Sequence, residues 1–540
     1  MKKTGIFVRT TSGLRRDWSP LDLFLYNWMT GNFIFTTILF VGLAQMFGSF
    51  PGADLFLAIT LGGIGAIPVL GTYAMLSASM PRAGGDYIWV SRILHPMIGF
   101  IFTMAGATAL TLLWMPWNGY NAATIGFASA FGIIGNSAGN VAWTNASAWF
   151  LSVEGQYVIV ALSIIIPALM IAFGMRKYAL IQRGIFIVSM GCFAVMIGLL
   201  LSSNPTAFAE GFNKFAGPGG YQKVLDVAQE KGMGPTAFSA YGTAVLASYM
   251  AVGYSWNFVG NSLLGEVKSA SNLRNMMLAF VLPPILSILM FCTLFASLFA
   301  TVGRDFLASL GFLMSSGDAI VTSLPFQPYF LYLPTLVLSQ PVLTGVVLFI
   351  MFGMVLSALF YNVGNILLPS RYFFAQSFDR LLPSVMSSVH TRWRTPWVAI
   401  GVASVAAMLW WVFSLTYPNI WLFFSATGIA IFIYEFIVCA AGMVFPFRQP
   451  VTYASSPLAK YKIAGIPLVS ITGFLGMVYN LVFTILYLAI PALGITGYPP
   501  SFIMVIAVFI AAALYYYIMK WYRFKHGIDV TLAFQEVPPL

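Results

Sequence analysis

The chain has 540 residues, of which 59% are hydrophobic and only 8% are charged, against about a quarter charged in soluble domains. That composition, with a mean hydropathy of +0.87, excludes a string of soluble domains. The net charge of +11 taken alone suits a nucleic-acid binder, but the basic residues sit at the ends of long apolar runs, which excludes nucleic acid as a partner.

Apolar runs of roughly 20 residues recur from end to end, each long enough to cross a hydrocarbon core about 30 Å thick. They are continuous, as in IFTMAGATALTLLWM and VIVALSIIIPALMIAFG, and lack the alternation of a membrane β-barrel. The expectation is an all-α polytopic membrane protein embedded in lipid. The first residues, MKKTGIFVRTTSGLRRDWSP, have a basic start but neither an apolar core nor a cleavage site, and read as a cytoplasmic tail. Twelve spans follow, at 23–48, 55–79, 97–130, 155–174, 184–203, 238–263, 277–302, 341–369, 396–416, 420–444, 466–490 and 501–521. The third is too long for one perpendicular crossing and should tilt or run past the bilayer. The longest connections, 204–237 and 303–340, should face the same side.

All Lys and Arg except Lys214, Lys223, Lys231 and Arg304 fall on one side of this arrangement. The positive-inside rule makes that side cytoplasmic. Both termini are then cytoplasmic, in a multi-pass protein of the cell membrane. The basic loops meet an anionic leaflet, which accounts for the excess charge.

Span one contains NWMTGNFIFTT, with Thr30, Gly31 and Asn32 together. Between spans two and three lies MPRAGGDYIWVSRILHP, which holds Arg82, Asp86, Arg92 and His95. A charge costs about 2.5–3.5 kcal/mol or more at the bilayer centre, so these groups are expected to stay near water. Tyr87 and Trp89 are expected at headgroup level. Span three offers LLWMPWNGYNAA, with Trp114, Trp117, Asn118, Tyr120 and Asn121 close to Pro116; Trp117 and Asn121 are candidates to touch a substrate, and packing would equally explain them. Span six contains YMAVGYSWNFVGN, with Gly253, Tyr254, Ser255, Trp256 and Asn257. Glycine and short polar residues at mid-membrane suit close helix packing. They also suit a break in the helix, where freed N–H and C=O groups must be satisfied by protein, water or ligand. In span ten, IFIYEFIVCA places Glu435 among apolar neighbours; an intramembrane carboxylate is a functional candidate, here for carrying a proton. Cys192, Cys292 and Cys439 all lie inside apolar runs, with no metal-ligand spacing, so no metal is expected. The three histidines and three cysteines are scattered rather than clustered at one depth, which argues against an enzyme.

Four segments carry a family signal: SGLRRDWSPLDLF at 12–24, the P-x-x-G-G-x-Y stretch within 80–96, LLGEVKSASNLRNMMLA at 263–279, and SRYFFAQSFDRLLPSVMSSVHTRWRTPWVAI at 370–400. In this order the chain resembles the amino acid–polyamine–organocation permeases. The resemblance implies a leucine-transporter (LeuT) type fold, a 5+5 inverted repeat with discontinuous helices at spans one and six. The implied organisation is an N-terminal tail (1–22), a first repeat (23–203), an extracellular loop (204–237), a second repeat (238–445), spans eleven and twelve (446–521) and a C-terminal tail (522–540). The implied function is secondary transport of amino acids or related amines by alternating access, or, on the same fold, sensing without transport.

Thr30, Gly31, Asn32, Gly253, Tyr254, Ser255, Trp256 and Asn257 would then hold the substrate, with Trp117 and Asn121 beside it. Spans one, three, six and eight carry no Asp or Glu in the pocket region, which favours a neutral substrate. The family's span-one motif usually reads G-x-G-I-F. Here Gly31-Asn32-Phe33-Ile34-Phe35 puts Phe33 at the second glycine, so the resemblance does not fix which residues line that break. No cofactor is implied beyond a coupling ion. A lysine found in span five of some proton-coupled relatives is missing, with Arg183 just outside that span. A sodium site would draw on oxygens such as that of Ser357. Proton symport, sodium symport and exchange all stay open. The segments 80–96, 263–276 and 370–394 are expected as cytoplasmic loops.

Overall fold

The computed structural model describes residues 13–32, 43–416, 423–493 and 499–534. Among these, ten helices are long and apolar enough to cross a membrane, and they coincide with ten of the twelve expected spans. Span two is Leu55–Ser79, span four Val153–Ala172, span five Met175–Leu201 and span seven Leu273–Thr301. Span nine is Trp397–Thr416, span ten Phe423–Arg448, span eleven Leu468–Ala489 and span twelve Pro499–Lys525. The two expected spans outside this set are one and six, the pair singled out as interrupted.

Spans three and eight are the longest. Span three runs over Pro96–Ala138, 43 residues, about 65 Å at about 1.5 Å per residue. It passes twice through π-helical turns, at Thr103–Ala109 and Ala122–Ala128, which shift the register of its faces. Span eight, Val342–Phe378, has 37 residues. Each is the third span of its half, and both overrun a hydrocarbon core about 30 Å thick. The expectation that 370–394 is a loop is corrected: apolar residues carry the helix through Arg371 and Tyr372 to Phe378.

The outer spans turn large apolar side chains outward, as with Ile187, Leu409 and Leu514; hydrocarbon around the molecule takes the place of water there. The connections 204–237 and 303–340, expected on the same side, meet each other. Phe306 stacks on Tyr221 with centroids 4.3 Å apart and meets Phe212 edge-on, and Lys231 pairs with Asp318.

The polar turn between spans two and three is the second correction. Asp86 and Arg92 are buried, as are Tyr87 and Trp89 on the same short helix, Gly85–Ile93. The charges are tolerated inside protein because each has a partner. Arg92 forms a two-pronged pair with Asp379 at 2.8 Å, and the Tyr87 hydroxyl donates to the same carboxylate at 2.7 Å. Trp89 donates its indole N–H to the Met80 carbonyl. The C-terminal turn Val530–Phe534 covers this pair: Arg92 donates to the Ala533 carbonyl at 3.3 Å and lies 4.7 Å from the Phe534 ring centre.

A candidate substrate site where span six changes helix type

Span six begins as an α-helix, Ala240–Ser255, with Ser239 capping its first turn by accepting from the Gly242 N–H. At Trp256 it becomes a 3₁₀ helix that continues to Glu266. An 11-residue 3₁₀ run is long, since its hydrogen bonds are poorer than those of an α-helix; such stretches mark hinges or strain. The sequence explains why it persists. Asn257, Asn261 and Ser262 each donate a side-chain bond to a carbonyl three residues back, at 2.8, 2.9 and 3.0 Å. The break is thus a change of winding rather than an open stretch.

Span one lies against it. Its helix, Pro20–Asn32, places buried Asn27 beside Gly260, whose N–H donates to Asn27 Oδ1 at 2.8 Å, while Asn27 Nδ2 donates to the Ala279 carbonyl at 2.9 Å. A side chain on Gly260 would place a carbon 2.3 Å from Asn27 Oδ1, so only glycine allows this approach. Ahead of span one, the Trp18 N–H donates to the Glu266 carbonyl and the Lys268 N–H to the Trp18 carbonyl. The lead-in to span one and the exit from span six are therefore tied as a short parallel bridge.

Three consecutive residues at the junction point three ways. Tyr254 faces spans two and seven, against Gly63 and Phe291. Ser255 places its hydroxyl 3.0 Å from Glu435 Oε2 of span ten. Trp256 faces spans three and eight, 6.0 Å from the ring of Trp114 and 6.4 Å from that of Tyr361. The Trp256 indole N–H and the Tyr361 hydroxyl are buried, and neither has a hydrogen-bond partner among the described residues. A buried donor left unpaired costs about 1–3 kcal/mol, so Trp256 and Tyr361 hold polar capacity that the described residues do not use.

Chain comparisons agree with this architecture. A model of the family described as "Amino acid permease" matches residues 21–516. The chain belongs to the amino acid permease family. No curated protein sequence matches. Among solved structures, the crystal structure of MhsT in complex with L-phenylalanine is similar at a TM-score of 0.52 and 15% identity, over 87% of this chain and 99% of that one. The permease is an all-α, multi-pass membrane protein of the LeuT type, and its family places it among amino acid transporters.

Within the permease, the residues named from sequence are distributed unevenly. Thr30 is buried in span one, donates to the Tyr26 carbonyl at 2.6 Å and packs against Gly364 of span eight. Gly31 and Asn32 end that helix, and Phe33, Ile34 and Phe35 lie outside the described residues. Gly253 is buried inside the α-helical part of span six. Trp117 stacks on Tyr120, and Asn121 bonds back to the Trp117 carbonyl at 2.8 Å; Trp114, one turn earlier, is the residue that meets span six. Ser357 pairs its hydroxyl with Ser189 of span five at 3.1 Å. Arg183, expected just outside span five, lies within its helix and reaches Asp22 of span one at 2.8 Å.

Sequence reading missed the buried polar knot at the basic end. Asp86 exchanges two bonds with Asn261, at 3.2 and 3.0 Å, and accepts from the Tyr87 N–H. Burial pushes its carboxyl up to about 6, against the pull of hydrogen bonds from Tyr434, Tyr372, Tyr87 and Asn261. Arg371 of span eight meets Glu266 at the end of the 3₁₀ segment. The three stretches expected as separate loops are thereby bound to one another.

Proposed function

We propose that this permease moves neutral amino acids across the cell membrane by alternating access, with the substrate held where span six changes from α to 3₁₀ helix. The observation that carries this is Trp256. It sits at the change of winding, its N–H has no partner among the described residues, and aromatic rings from spans three and eight face it. A substrate carboxylate can take hydrogen bonds from such donors, and its ammonium can donate to carbonyls near the end of the α-helical half. The aromatic walls suit an uncharged side chain. The knot formed by 80–96, 261–266 and 371–379 would close the path at the end that carries the basic residues, and the cytoplasm would lie on that side.

The test is uptake into proteoliposomes of each labelled neutral L-amino acid in turn, with unlabelled amino acid inside. Saturable exchange of at least one is expected. Saturable binding with no exchange of any amino acid would instead make the protein a sensor.

A further inference from the structure

We propose that Glu435 carries a coupling proton in this permease, and that Ser255 reports the charge of Glu435 to the junction of span six. This rests on the transport reading and adds to it the nature of the driving ion. Glu435 is fully buried. The ion pairs of the described residues involve Asp17, Asp22, Glu266, Asp318 and Asp379, and none involves Glu435. An ionised carboxylate in such a place loses its hydration with no counter-charge, a cost of several kcal/mol even after relaxation; the neutral acid avoids it.

The hydrogen bonds count the proton independently. The Ser255 hydroxyl lies 3.1 Å from the Ala251 carbonyl and 3.0 Å from Glu435 Oε2. A serine has one O–H to donate. A carbonyl and a carboxylate are both acceptors, so with an ionised Glu435 one hydrogen serves the two contacts only as a shared, weaker bond. Both bonds are made when Glu435 is protonated on Oε2: the acid donates to Ser255 Oγ, and the serine donates to Ala251. The other oxygen, Oε1, has no partner among the described residues, which an acid carbonyl bears better than a charged oxygen.

When the proton leaves for water, the serine hydrogen is drawn to the carboxylate and the bond to Ala251 weakens. Ser255 is the last residue of the α-helical half, and the next residue is Trp256, the proposed substrate contact. Losing the proton therefore weakens a bond at the point where the helix changes winding. The titratable groups close to Glu435 are neutral hydroxyls and a thiol: Tyr73 of span two, Tyr479 of span eleven and Cys439 of its own helix. Tyr254 adjoins Ser255 in span six. The short helix 85–93 brings Asp86, which lies by the hydroxyls of Tyr434 and, from span eight, Tyr372. Span three brings no charged group. Span twelve brings Tyr515 and Tyr516, which meet Phe100, and helix 450–455 brings Tyr453 against Phe445 of span ten.

The experiment compares wild type with Glu435→Gln and Glu435→Asp in proteoliposomes. It measures exchange of labelled for unlabelled neutral amino acids at equal pH, then accumulation driven by an inward proton gradient or an inward sodium gradient. The expected result is proton-driven accumulation by wild type. Its loss in Glu435→Gln with exchange retained, and its partial return in Glu435→Asp, complete the expectation. Accumulation surviving in Glu435→Gln overturns the proposal. So does wild-type accumulation that follows sodium alone or neither gradient, and so does loss of exchange together with accumulation in Glu435→Gln that elutes as a folded monodisperse protein. A wild type that exchanges no amino acid fails the transport reading itself, a result distinct from all of these.

Discussion

Arg371 and Glu266 form a two-pronged ion pair in the interior, with Nε donating to Oε1 at 2.8 Å and Nη2 to Oε2 at 3.2 Å, and neither side chain reaches solvent. It fastens span eight to the last residue of the 3₁₀ segment, so any opening of that segment must carry or break it. Removing one partner strands a buried charge, which costs about 3–5 kcal/mol, whereas removing both can be nearly neutral. Glu266→Gln and Arg371→Met should each lower the melting temperature of the purified permease markedly, and the double variant should recover much of the loss. Thermal unfolding followed by tryptophan fluorescence checks this; additive losses would mean that the two side chains act separately.

That pair also shows where the sequence is silent. The spans could be read because hydrocarbon demands about 20 apolar residues in a row, and the change of winding in span six because Gly, Ser and Asn gather there. Glu266 and Arg371 are 105 residues apart, and Arg92 and Asp379 are 287 apart. Hydropathy assigns such charges to water, since nothing local says that a partner waits across the bundle. One sign was available: apolar residues continue beyond Arg371 in YFFAQSF, as befits a helix running on into protein. Choosing Trp114 over Trp117 needed the π turns of span three, which have no evident signature in sequence.

Asp86 gives the permease a pH-dependent element outside its spans. Its native carboxyl titrates near 6, above the unfolded value, because burial opposes the charge. The native state therefore holds more protons than the unfolded state between the two values. The contribution of Asp86 to stability is complete below its unfolded pKa and is lost as the pH rises through about 6. Measured across pH 4.5 to 7.5, roughly that window, the melting temperature of wild type should fall relative to that of Asp86→Asn. A constant difference between the two would refute this reading.

Gly85 takes a positive φ of 25°, and an added Cβ would lie 2.2 Å from Asn261 Oδ1 and 2.4 Å from its carbonyl oxygen. Asn261 cannot retreat easily, since its amide is held by Asp86 and by the Phe258 carbonyl. Gly85→Ala combines backbone strain of about 1–2 kcal/mol with overpacking of about 1–3 kcal/mol. It should unfold at a lower temperature than wild type, and Asn261→Gly should relieve part of the loss in the double variant. Equal stability of Gly85→Ala and wild type would show that the turn sits farther from span six.

Trp256 separates the substrate reading from simple packing. Trp256→Phe keeps a ring against Trp114 and Tyr361 but removes the indole N–H, so a purely packing role predicts almost no change in transport. If the N–H serves the substrate, losing a hydrogen bond to a charged group costs about 1.5–3 kcal/mol, which is about 10- to 150-fold in affinity. The concentration giving half-maximal exchange should rise by that order in Trp256→Phe, while the melting temperature stays close to that of wild type. Trp256→Ala should lose exchange altogether, because the ring contacts go with the donor. Unchanged half-saturation in Trp256→Phe would move the substrate away from this junction.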